Sequence, residues 1–272
     1  MLAPMPPGDS APAVRWRLID TPPAPGAWNM AVDEALAATV AGGGAPVLRF
    51  YRWEPACLSL GRNQPARGRY DLDALAAAGV DVVRRPTGGR AVLHRRELTY
   101  SVAAPAALLG APRHAYAAIN RALVAGLRRL GAAASLQPST GARAPLPSLA
   151  PCFAEPVEGE VVAAGRKLVG SAQCVLGSVL LQHGSLPLHD DQSAVAALLA
   201  VPDTSAAEAP PATLSGVLRR EPAWEELTAA LAAGWEETLD AVLAPDALTD
   251  AELDAARAGA ERYAAPAWTW HQ

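Results

Sequence analysis

Three residues with chemistry of their own stand close together in the second half of this sequence. Cys152 sits in a proline-rich stretch, Ser148-Leu149-Ala150-Pro151-Cys152-Phe153. Fifteen residues later Lys167 lies within Gly165-Arg166-Lys167-Leu168-Val169-Gly170-Ser171-Ala172-Gln173, and His183 follows in Gln182-His183-Gly184-Ser185. A thiol attacks only as the thiolate, and a nearby cation or imidazole favours that form. Among 23 lysines and arginines, Lys167 is the only lysine. Lysine is a compact cation whose proton affinity responds to its surroundings, a property arginine lacks. Nucleophilic attack by an activated thiol is the chemistry such a set would support. The plainer alternatives are a loop cysteine without a role, an exposed turn lysine and a hydrogen-bonded core histidine.

A fourth segment lies upstream: Arg84-Arg85-Pro86-Thr87-Gly88-Gly89-Arg90, followed by His94. A strand that ends in arginines and a Gly-Gly turn can aim backbone N–H groups and cations at an anion or a carbonyl oxygen. A surface hairpin with solvated arginines fits the same residues. No G-x-x-x-x-G-K-[ST] phosphate loop occurs. Cys57 and Cys174 lie in apolar, strand-like sequence and read as core filler. With no H-x-x-x-H or paired-carboxylate spacing, no metal site is expected.

The elements that must position these residues follow from pattern and composition. The chain has 272 residues, 51% of them hydrophobic, 18% charged, with a net charge of −4. That supplies a buried core and no field for non-specific nucleic-acid binding. No run approaches the roughly 20 apolar residues of a membrane span. Three cysteines without C-x-x-C spacing argue against a disulfide framework and a zinc site, so a reduced, cytoplasmic protein is expected. Residues 1–13 read as a tail without the features of a signal peptide.

Strands are expected over Val14 to Asp20, Val47 to Tyr51, Cys57 to Leu60 and Val80 to Arg85, with Trp53-Glu54-Pro55 turning between the second and third. Ala91 to His94 and Leu98 to Ala103 continue as extended segments. Trp28, Ala31, Val32, Ala35, Leu36 and Thr39 recur at helical spacing, and Gly42-Gly43-Gly44 ends that helix. Asp71 caps a short helix to Ala78, and Pro112 opens a long one to Leu130. Four prolines mark a loop over 138–151. Glu160 to Ala163, Lys167 to Cys174 and Val179 to His183 form a β-meander. The remainder reads as mostly helical, with Trp224, Leu227, Leu231, Trp235, Leu239 and Val242 on one stripe, and a Thr249/Glu252 capping box. The fold class is α+β, a mixed, mostly antiparallel sheet flanked by helices. Its divisions are the tail 1–13, a catalytic domain 14–245 and a C-terminal helical extension 246–272.

Four motifs in register resemble the lipoate/octanoate protein ligase and transferase family. Arg84 to His94 is similar to its R-R-x-[ST]-G-G-x-A-V-x-H signature. Gly165 to Gln173 is similar to G-[RK]-K-[ILV]-x-G-[SN]-A-Q, Gln182 to Leu186 to x-H-G-[ST]-[IL], and Trp28 to Leu36 to the family's first helix. The resemblance runs from about Trp16 to Leu188 and implies the catalytic domain shared with biotin protein ligases. Ser148 to Phe153 resembles the [SA]-x-C-F segment that carries the thiol in cysteine-type octanoyltransferases. The stretch Ala154-Glu155-Pro156-Val157-Glu158 departs from that branch in lacking aromatic residues.

The resemblance implies an acyltransferase. Cys152 and Lys167 would be catalytic. Arg84, Arg85, Thr87, Gly88, Gly89, His94, Gly170, Ser171, Ala172 and His183 would bind substrate, without a metal or a bound cofactor. The donor would be octanoate on the phosphopantetheine thioester of acyl carrier protein. The acceptor would be a lysine of glycine-cleavage H protein or an E2 lipoyl domain, and Arg84, Arg85 and Arg90 would help dock the acidic carriers. No nucleic acid or membrane partner is implied, and a monomer is the default. The alternatives are transfer from H protein to E2 domains, ATP-dependent lipoate ligation, and a non-catalytic acyl- or biotinyl-binding regulatory module.

Overall fold

Alternating and 3.6-period segments of the sequence become strands and helices at nearly the positions their patterns indicate. The computed structural model describes residues 13–138, 153, 157–201 and 210–272. Most of the expected tail, nearly all of the proline-rich loop and Cys152 lie outside the described residues. The strands are β1 Val14–Asp20, β2 Val47–Tyr51, β3 Cys57–Leu60, β4 Asp81–Arg84, β5 Val92–His94, β6 Glu97–Pro105, β7 Ala134–Leu136, β8 Val161–Ala163, β9 Arg166–Leu176, β10 Val179–Pro187 and β11 Ala241–Asp246. The helices are α1 Gly26–Ala41, α2 Leu72–Ala77, α3 Ala106–Leu109, α4 Pro112–Arg129, α5 Leu214–Leu218, α6 Trp224–Leu239, α7 Asp250–Ala264 and α8 Pro266–Thr269, with a 3-10 turn at Gln192–Leu198.

Eight strands form one sheet in the order β11-β1-β2-β6-β10-β9-β8-β7. Strand β1 runs parallel to β11 and β2, and the other neighbours are antiparallel. Successive side chains of a strand point to opposite faces, so this sheet has two cores. On one face Leu48, Phe50, Tyr100 and Val102 pack with α4 and α6. Trp16 meets Trp235 edge-on there at 5.2 Å. The two helices touch backbone to backbone: a Cβ on Gly126 would lie 2.6 Å from Leu231 Cα, and one on Gly234 would lie 2.2 Å from the Gly126 nitrogen. On the other face Ile19, Val47, Tyr51 and Ala103 pack with α1, which is itself covered by Ala256 and Tyr263 of α7.

A second, three-stranded sheet in the order β4-β3-β5 lies over part of that second face. Its own small core joins Leu58, Leu60 and Leu93 to Tyr70 and to Val195 of the 3-10 turn. The arrangement is the expected α+β fold with a mostly antiparallel main sheet. Asp71 caps α2 by accepting from the Asp73 and Ala74 N–H groups, and Thr249 and Glu252 complete the capping box of α7.

Three details differ from expectation. Val242 belongs not to the helical stripe of α6 but to β11, where it pairs with Arg15. The helix stops at Leu239 because Asp240 turns left-handed at φ 48°. Strand β7 fell within sequence assigned no element, being only three residues long. Strands β2 and β3 do not form a hairpin: the turn between them carries the chain from one sheet to the other.

Candidate active site

A cleft of about 420 Å³ opens between the main sheet, α1 and the small sheet. Strand register builds its floor. Tyr51, Thr99, Ser185 and Gly170 stand in one row across β2, β6, β10 and β9, and Arg49, Ser101, His183 and Ala172 stand in the next. Met30 of α1 closes one side, and Ser59, Arg85, Gly89 and His94 of the small sheet and its turn close the other. Among the predicted residues, Arg85, Gly89, His94, Gly170, Ser171, Ala172 and His183 therefore meet on one cavity wall.

Most polar groups in this wall are satisfied by each other. Glu97 is buried and accepts from Thr99 Oγ1 and Ser185 Oγ, each at 2.5 Å, and from His94 Nδ1 at 2.6 Å. Trp53 donates Nε1–H to Thr99 Oγ1 at 2.7 Å and stacks on the His94 ring, centroids 4.0 Å apart. Ser59 Oγ lies 2.7 Å from His94 Nε2 and receives a hydrogen bond from Arg85 Nη1 at 3.0 Å. Tyr100 Oη and Ser171 Oγ bond at 2.7 Å, and Gln182 donates to Tyr100 Oη. A buried polar group is costly only when unpaired, so these groups leave the lumen free for an apolar chain.

A second network fixes His183. Arg49 and Asp33 form a fully buried ion pair at 2.7 Å, and Ser101 Oγ and Tyr51 Oη also donate to Asp33. His183 Nδ1 faces Asp33 Oδ2 at 3.4 Å, and its Nε2 lies 2.6 Å from Thr87 Oγ1. Burial pushes the Asp33 carboxyl up, but the His183 hydrogen bond and the Arg49 charge outweigh it, and the group ends below its ordinary value. Burial holds His183 below the ordinary histidine value against the pull of Asp33. The neutral ring then donates from Nδ1 and accepts the Thr87 hydroxyl at Nε2. In this way β10 pins the Gly-Gly turn.

That turn is held from within as well. Arg85 Nη2 donates to the carbonyls of Gly88 and Arg90 at 2.8 and 2.7 Å. Gly89 is exposed at φ 94°. A Cβ on Gly61 would lie 1.9 Å from the Gly89 carbonyl, so only glycine fits beside the turn. Arg84, by contrast, lies outside the cavity. It is fully buried and donates to the carbonyls of Gly61, Arg62, Gln64 and Thr269. Burial removes Arg84 and Arg85 from any docking face, a correction to the expectation that they meet carrier proteins. Arg90 stays partly exposed.

Lys167 is the second residue of β9, three residues before Gly170, and is itself buried outside the cavity wall. Its ammonium pairs with Glu160 at 2.6 Å and lies 5.5 Å from the centre of the Phe153 ring. Glu160 also accepts the Val157 N–H. Cys152, the predicted nucleophile, is outside the described residues. Cys57 is buried, and burial raises its thiol well above the ordinary value; burial also pushes Cys174 up to about 11. Among the described residues no cluster of His, Cys, Asp or Glu is arranged to hold a metal, and no helix is long and apolar enough to cross a membrane.

Sequence reasoning missed Ser59, Glu97, Thr99, Ser185 and Glu160 as parts of the site, and gave Asp33 no role beyond a motif position. Their partners lie up to 150 residues away, as Asp33 and His183 do. The one local signal was the His94/Glu97 spacing of three residues at the end of the Gly-Gly motif.

Known proteins resemble this chain in sequence and in fold. Residues 25–235 match the family described as the lipoyl protein ligase A/B catalytic domain. An octanoyltransferase LipM of Kyrpidia tusciae is 41% identical over 271 residues, covering 94% of this chain and 99% of its own. One of Symbiobacterium thermophilum is 41% identical over 251 residues, covering 87% of this chain and 91% of its own. Among solved structures, a lipoate-protein ligase A bound with ATP superimposes with a TM-score of 0.75 at 27% identity, covering 94% of this chain and 98% of that one. A putative lipoate protein ligase of T. acidophilum with bound lipoic acid gives 0.74 at 26%, covering 94% and 99%. With its motifs gathered on one cleft and its relatives matched nearly end to end, this chain is an acyltransferase that belongs to the lipoyl protein ligase A/B catalytic domain family.

Proposed function

We propose that this acyltransferase moves octanoate from acyl carrier protein to a lysine of a lipoyl-accepting protein, through a thioester on Cys152. The observation that supports it is the buried pair of Lys167 and Phe153, because Phe153 follows Cys152 in the chain. A lysine ammonium beside the thiol favours the thiolate. The thiolate attacks the octanoyl carbonyl, the sulfur–carbon bond to the carrier breaks, and the carrier leaves as its thiol. The acceptor amine, having lost its proton, then attacks the acyl-enzyme and forms an amide, returning Cys152. Thioester to amide is downhill, so the route needs no ATP and is ping-pong. The cleft, with its polar groups turned to each other, suits the eight-carbon chain. Backbone N–H groups of Gly88 and Gly89 are candidates to hold the oxyanion; losing one such donor typically costs about 10²–10³ in rate. Acceptors fitting this reading are H protein and E2 lipoyl domains, with the partly exposed Arg90 at the Gly-Gly turn as the arginine that would meet an acidic carrier.

The test is single-turnover incubation with octanoyl-acyl carrier protein, followed by peptide mass spectrometry. The expected result is an octanoyl adduct on Cys152 that disappears when acceptor is added, and no transfer by Cys152→Ala. A second reading, ATP-dependent lipoate ligation, draws on the likeness to the ATP-bound ligase. It prevails if transfer requires ATP and free acid and survives Cys152→Ala. Octanoyl-H protein as the better donor would instead make the enzyme an amidotransferase between two acceptors.

A further inference from the structure

One wall of the cleft carries a second set of groups for nucleophilic chemistry, and the thioester route asks none of them to act as nucleophile or base. Ser59 Oγ lies 2.7 Å from His94 Nε2, and His94 Nδ1 lies 2.6 Å from Glu97 Oε1. Ser59 and His94 both face the cavity. Glu97 accepts hydroxyl protons from Thr99 and Ser185 on its two oxygens, so the carboxylate is fixed in place and can only accept from the ring. A neutral His94 therefore carries its proton on Nδ1 and offers Nε2 to the Ser59 hydroxyl. Trp53, stacked on the ring, holds its plane. Nucleophile, base and orienting carboxylate are recognised by geometry and role and not by order in the chain. Arg85 Nη1 adds a cation 3.0 Å from Ser59 Oγ, where negative charge develops when the hydroxyl loses its proton.

We infer that Ser59, His94 and Glu97 form a second nucleophilic centre that cleaves small carboxylic esters through an acyl-Ser59 intermediate. Ser59 Oγ bonds to the carbonyl carbon while its proton passes to His94 Nε2. The ester C–O bond breaks, and the leaving oxygen takes that proton. Water then adds to the acyl-serine, giving its proton to His94 and so back to Ser59, and the carboxylic acid departs. The substrate class is set by access: Ser59 and His94 line a cleft open to solvent, where a short-chain aryl ester can present its carbonyl with the aryl group toward the mouth. The centre does not depend on the thioester reading, and octanoyl transfer could fail at Cys152 without affecting it.

The experiment uses the full chain with Cys152→Ala, which removes the proposed thiol. It is treated with phenylmethylsulfonyl fluoride and mapped by mass spectrometry, in parallel with hydrolysis of p-nitrophenyl butyrate. The expected result is one sulfonyl adduct on Ser59 and loss of hydrolysis in step with labelling. Adding His94→Ala slows both by about 10²-fold or more, and adding Ser59→Ala to that chain lowers hydrolysis little further, because the members act as a unit. No adduct on Ser59 after exhaustive incubation, or an adduct elsewhere, overturns the inference. Hydrolysis unchanged by Ser59→Ala also overturns it. The labelling arm keeps Ser59 and His94 intact, so a folding defect in a variant cannot hide the answer.

Discussion

Ionisable side chains in this site act in pairs, and the pairing explains why they tolerate burial. Lys167 and Glu160 are both buried and bonded at 2.6 Å; removing one member of such a pair strands the other. His183 is buried and kept neutral beside Asp33, and this has a consequence for stability against pH. The unfolded chain binds a proton at its histidine near the ordinary value of 6.5, whereas the folded chain binds it only at lower pH. Between those two values the unfolded state holds more protons, so stability falls as pH drops below 6.5. Asp33, depressed below its ordinary 3.8, adds stability above that value and loses it as pH falls toward its folded value. We expect the thermal midpoint to decline on acidification from pH 6.5, and the slope just below 6.5 to flatten in His183→Gln. An unchanged slope in that variant would assign the acid sensitivity elsewhere.

At the scale of elements, the patterns that succeeded were those set by near neighbours. The stripe from Trp28 to Thr39 and the glycines after it gave α1, observed as Gly26–Ala41. Alternation and the turn glycines gave the β9–β10 meander that carries Gly170 and His183. The failures came where an element depends on a distant partner. Ala241–Asp246 is an edge strand only because β1, more than 220 residues earlier, lies beside it, and Val242 also fits the preceding helical stripe. Likewise Glu97 looked like any polar residue until β10 and β5 brought Ser185 and His94 to it. The α4–α6 crossing offers a test at this scale. Gly126→Ala would place its methyl 2.6 Å from Leu231 Cα, so the helices must part. The expected loss is about 1–3 kcal/mol, read by urea denaturation. A loss below a few tenths would mean that the crossing adjusts freely.

The molecule is tied together through residues 266–272. Trp268 donates to the Arg84 carbonyl, Arg84 donates to the Thr269 carbonyl, and the Ala66 and Arg67 N–H groups donate to the Gln272 carbonyl. Residues 266–272 thus brace the strand and loop that back the Gly-Gly turn, although no catalytic motif lies among them. Removing 266–272 is expected to expose the Ala66 and Arg67 amides to hydrogen exchange. The same deletion should slow acyl transfer by about 10–100-fold, since a small displacement of site residues is costly. Full exchange protection after the deletion would show that the loop holds itself.

The same tie sets an order of events during synthesis. Domains generally begin to fold from the N-terminal side as the chain emerges, and here β3, β4 and the Gly-Gly turn are made early. Their loop cannot be fastened until Thr269 and Gln272 have left the ribosome. A nascent chain therefore carries all of its motifs well before its cleft is braced, and acyl-transfer competence waits for residues 266–272.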